Sequence, residues 1–138
     1  MFVHTYDLEL LKDGEPVKVS LRISTGAQIK LKKRWNESTQ ATLFNAVDDI
    51  ERFVALMDYA LSWNGNTNPI HSGEELTDLL ADNDMLGMLG KQRLLTSIGR
   101  ASNLLSEDEK QAFDKKSENI YKKMLSDDAA VEEDQGNA

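Results

Sequence analysis

His4 and His71 are the only imidazoles in a chain of 138 residues that contains no cysteine. A histidine metal centre needs further ligands in a pattern that brings them to one face, and no such motif, His-Glu-x-x-His for example, includes either histidine. Proton transfer by paired carboxylates is the other route to chemistry, with Asp48-Asp49 and Glu74-Glu75 as the visible pairs. Both pairs stand where helices are expected to begin, so attraction to the positive end of the helix dipole accounts for them. No nucleophile elbow, phosphate-cradling glycine loop or zinc signature occurs. Lack of thiols removes disulfides, thiolate metal sites and cysteine nucleophiles. The expectation is no catalytic, cofactor-binding or metal-binding residue, and no enzymatic activity.

Binding chemistry has better candidates. Lys30, Lys32, Lys33 and Arg34 precede Trp35, joining positive charge to a ring that can stack on a base. Trp35 nevertheless falls on the same helical face as Ala27 and Leu31, which favours a core tryptophan beneath a solvated basic face. These four cations are candidate electrostatic contacts for a nucleic acid or for the chain's own acidic C-terminus. Trp63, next to an Asn-rich loop, reads either as a plug for the core or as an exposed anchor. Met85, Leu86, Met88 and Leu89 form an apolar cluster whose flexible thioethers repack against varied partners, although ordinary core filling also accounts for them. With Trp63, these four are the candidate partner-binding residues.

The elements that must position these residues follow from periodicity. Leu8 and Leu10, then Val17, Val19, Leu21 and Ile23, alternate with period two around Lys12-Asp13-Gly14-Glu15-Pro16, predicting a β-hairpin over 3–23. Its single apolar face must cover helices or pair with another subunit. A short helix is expected over 25–35, capped by Ser24 or Thr25, and one or two helical turns over 39–45. Ile50, Phe53, Val54, Met57 and Leu61 predict a longer helix over 47–62, with Asp48, Asp49 and Glu51 in its first turn. It ends at an Asn/Gly/Pro loop over 63–69. Ser72-Gly73-Glu74-Glu75 opens a short helix through Leu76, Leu79 and Leu80. A further helix, expected to start near Asp84, carries Met85 through Leu105, with Gly87, Gly90 and Gly99 permitting close packing. Ser106-Glu107-Asp108-Glu109 leads a last helix over 107–125. Residues 126–138 hold five acids and no base and should form a disordered acidic tail.

The fold expected is α+β and mostly α: one domain over 1–125, made of the hairpin and a helical body over 25–125 with four to five helices. At 40% apolar residues the chain is long enough for one core. No run of residues suits a membrane span and the first residues do not read as an export leader, which predicts a cytoplasmic protein. Net charge is −8. Residues 1–35 carry seven Lys/Arg against four Asp/Glu and the remainder nine against twenty. Such an acidic balance argues against nucleic acid as a partner.

The order of elements resembles the tail assembly chaperones of long-tailed phages and prophages of Gram-positive bacteria. In that family a hairpin precedes a Thr-initiated helix ending in basic residues, here Thr25-Gly26-Ala27-Gln28-Ile29-Lys30-Leu31-Lys32-Lys33-Arg34-Trp35. An Ala-Leu-aromatic phrase closes the next helix, similar to Tyr59-Ala60-Leu61-Ser62-Trp63-Asn64, before a capped Asp-Leu-Leu segment like Ser72-Gly73-Glu74-Glu75-Leu76-Thr77-Asp78-Leu79-Leu80. The likeness covers about 6–105 and departs from the family in its longer C-terminal part. It implies a non-enzymatic protein that binds the tape-measure protein and recruits major tail (tube) protein subunits during tail assembly, and self-association through the hairpin edge into a homo-oligomer is expected beside it. The alternative is a small nucleic-acid-associated regulatory protein using residues 30–34.

Overall fold

The computed structural model describes residues 4–105 together with 111, 115, 118–120, 122, 123 and 125. Those after 105 are helical, but most of the helix expected over 107–125, and all of the tail expected over 126–138, lie outside the described residues.

Strands β1 (Tyr6–Lys12) and β2 (Glu15–Leu21) pair antiparallel, with Tyr6 opposite Leu21 and Lys12 opposite Glu15. Asp13 and Gly14 both take positive φ, 52° and 81°, which gives a two-residue turn whose twist matches that of the strands. Among residues 4–105 five helices follow: α1 (Thr25–Trp35), α2 (Thr39–Asn45), α3 (Ile50–Leu61), α4 (Gly73–Asp82) and α5 (Met88–Ala101). The architecture is the expected hairpin followed by a mostly helical body.

Alternation along the strands buries Leu10, Val19 and Leu21, and Ile23 just beyond them joins the same core. Helix α3 is the centre of that core, burying Phe53, Ala55, Leu56, Met57, Ala60 and Leu61 while packing against α4, β2 and α2. The hairpin's apolar face is therefore spent on its own helices. Helix α3 is shorter at its start than the period suggests. Asp49 is its N-cap, accepting from the amides of Glu51 and Arg52, so Asp48 lies outside the helix and Ile50, its first residue, is 53% exposed.

Helix α4 begins as its capping pattern requires, with Ser72 Oγ accepting from Glu75 N at 3.0 Å. Gly73 follows because a Cβ there would stand 2.2 Å from the Val54 carbonyl oxygen. Thus α4 starts against the backbone of α3, and no larger residue fits.

Candidate functional site

The Met-rich segment does not continue a helix from Asp84. Asp84 takes a left-handed φ of 57°, and Met85 N donates to the Leu80 carbonyl at 2.8 Å, a bond that reaches back into the last turn of α4 and closes it. Met85 and Leu86 consequently form a connector, and α5 starts only at Met88 behind the extended Gly87. The first turn of α5 folds back onto this connector. A Cβ at Gly90 would lie 2.4 Å from the Met85 carbonyl oxygen, so only glycine allows the approach.

A groove of about 500 Å³ results, lined chiefly by Tyr6, Met85, Met88, Leu89 and Leu94, with Asp84 and Arg93 also at its walls. Met85 and Met88 are half-buried, and Leu89 is 37% exposed. Leu86 packs against the core and is not part of the lining. Three of the four clustered candidates thus meet at one concave apolar surface that also takes in β1. Thioethers on a wall open to solvent can adapt to an inserted apolar side chain.

Trp63 lies elsewhere. Half-buried, it donates from Nε1 to the Ser20 carbonyl at 2.8 Å and so fixes the loop after α3 to the edge of β2. Asn68, buried in the same loop, joins it there. Its Oδ1 accepts from Ser20 N at 2.6 Å, while Nδ2 donates to Ser20 O and to Leu61 O, both at 2.9 Å.

Asn83 does the same for β1. Its Oδ1 accepts from Leu11 N at 2.9 Å, and Nδ2 donates to Leu11 O at 3.0 Å and Leu79 O at 2.8 Å. Each carboxamide pairs with both main-chain groups of one outward-facing strand residue and also satisfies a carbonyl in the last turn of a helix. Neither asparagine stood out in the sequence, where Asn68 read only as part of the turn-forming loop over 63–69.

The basic run is divided around α1. Lys30 and Arg34 line a groove against α3 with Asp58, Tyr59 and Ser62, whereas Lys32 lines a different one with Glu37 and Thr39. Lys32, Lys33 and Arg34 form the last turn of α1, where they oppose the negative end of its dipole. Trp35 is half-buried, as its helical face requires, and two guanidiniums lie over its ring, Arg34 at 4.9 Å and Arg52 at 4.5 Å from the centroid.

Arg52 is also the hub of an ion cluster that periodicity gave no hint of. Its Nε donates to Glu37 Oε1 at 2.8 Å, and its Nη1 bonds Asp49 Oδ2. Thr42 Oγ1 and Asn45 Nδ2 also donate to Glu37, at 2.9 and 3.0 Å. Burial pushes the Glu37 carboxyl upward, but the bonds from Arg52, Thr42 and Asn45 outweigh it and hold the group below the usual carboxylate range. Asp49 is likewise held low: burial opposes ionisation, and Arg52 and the helix-start amides prevail.

His4 and His71 are exposed and far from this cluster in sequence. Among the described residues no group of three or more His, Cys, Asp or Glu is placed to hold a metal ion, and no helix is long and apolar enough to cross a membrane. No known family model matches the chain, and no curated protein or solved structure matches it.

Proposed function

We propose that this protein is a non-enzymatic tail assembly chaperone of a long-tailed phage or prophage, acting in the bacterial cytoplasm on the tape-measure protein and delivering tail-tube subunits to it. The single observation that carries the binding role is the groove at the α4–α5 junction, where Met85, Met88 and Leu89 remain partly open to solvent beside Tyr6. A chaperone must hold apolar stretches of varied sequence without fixing one geometry, and methionine walls suit that task. The phage assignment draws on the resemblance carried by residues 6–105.

Co-expression with the tape-measure protein encoded beside it tests the proposal. The expected result is a soluble complex that survives gel filtration and is lost when Met88→Lys and Leu89→Glu place charges in the groove. An insoluble tape-measure protein in the presence of the wild-type chain overturns it.

A further inference from the structure

Both edges of the hairpin are closed by asparagine, but not over their whole length. Bonding to Asn83 shows that the N–H and C=O of Leu11 point away from β2. Alternation then turns the main-chain groups of Glu9 and Asp7 the same way. The register agrees from the other side, since Leu11, Glu9 and Asp7 stand opposite Pro16, Lys18 and Ser20, and Ser20 presents its own groups outward to Asn68. On β2 the outer edge is blunted: Pro16 has no N–H, and Ser20 is taken. On β1, the N–H and C=O of Asp7 and Glu9 have no bonding partner among the described residues. This open stretch ends at Tyr6, which lines the methionine groove.

We infer that the β1 edge and the methionine groove form one docking site, which takes an extended segment of a partner protein as an added strand. Main-chain bonds to Asp7 and Glu9 would hold the segment, and an apolar side chain on its core-facing side would enter the groove beside Tyr6, Met85 and Met88.

Charge and register specify the rest of the occupant. Asp7 and Glu9 are exposed on the solvent face of β1, so the facing positions of an added strand favour Lys or Arg. Strand β2 already shows this pattern, placing Lys18 opposite Glu9 between Val17 and Val19. The partner segment alternates apolar with basic residues. A second copy of β1 fits poorly, since antiparallel self-pairing about this edge would set carboxylate against carboxylate.

The inference rests on the binding-protein reading above for the existence of a partner, and its test is separate. A synthetic eight-residue peptide alternating Val with Lys is titrated into the full chain while main-chain amide exchange is followed by NMR. The Asp7 and Glu9 amides should slow on binding, and a Val–Glu peptide should bind more weakly. Glu9→Pro removes the outward N–H without touching the ladder to β2, and should weaken binding about tenfold, while Glu9→Gln keeps the donor and the protection.

If Glu9→Pro prevents folding, the double variant Asp7→Lys, Glu9→Lys must switch the preference to the Val–Glu peptide. No binding, binding without protection at Asp7 and Glu9, or unchanged affinity in Glu9→Pro overturns the inference. Amides already protected in the free chain also overturn it, because the chain's own C-terminal residues or a second copy would then occupy the edge. Tape-measure solubilisation that survives Glu9→Pro counts against the edge alone, and its failure with peptide binding intact counts against the chaperone reading alone.

Discussion

Arg52 ties the start of α3 to the end of α1, bonding Asp49 at its own helix start and Glu37 just after α1 and lying over the ring of Trp35. Removing it as Arg52→Ala strands two part-buried carboxylates and uncovers an indole, and should lower the midpoint of urea denaturation. The sign of the pH dependence follows from the depressed carboxyls of Glu37 and Asp49. Their contribution is fully present above the unfolded carboxylate range and is lost as pH falls through the lower folded values, so stability declines in acid below about pH 4. Glu37→Gln should flatten that decline in urea midpoints taken across the acid range. This cluster was not legible beforehand because charged residues carry no period, and Asn36-Glu37-Ser38 reads only as a break. Trp35 was legible, since Ala27 and Leu31 mark its face.

Elements are held at the right distance by a few positions that admit no alternative. Gly73→Ala drives a methyl into the Val54 carbonyl at the α3–α4 contact and should destabilise by about 2–3 kcal/mol in thermal or urea unfolding. Asn68→Asp keeps the acceptor for Ser20 N but loses both donors, setting carboxylate oxygens against the Ser20 and Leu61 carbonyls. A loss of about 2 kcal/mol or more is expected, with faster amide exchange along β2. The hairpin turn and the α4 cap were readable because Asp13-Gly14 and Ser72-x-x-Glu75 are local devices. The start of α5 was not, since the apolar spacing of Met85 with Leu89 looks helical. What breaks it is a left-handed Asp84, a conformation that sequence period does not encode.

For the whole molecule, the hairpin and helices form one core, and binding surface is what remains outside it. Composition pointed to the methionine segment and the structure gathers Met85, Met88 and Leu89 into a groove, while Trp63 is fastened to β2 instead. The groove depended on tertiary approach at Gly90 and on Tyr6 from a distant strand, which no local pattern reports. The groove's role is tested most simply by gel filtration of the chain co-expressed with its neighbouring tape-measure protein, compared with the same experiment on Met88→Lys, Leu89→Glu. A tape-measure chaperone acting through this groove should give a soluble co-eluting complex with the wild type and none with the folded variant. A complex that forms equally well with both, or with neither, contradicts it.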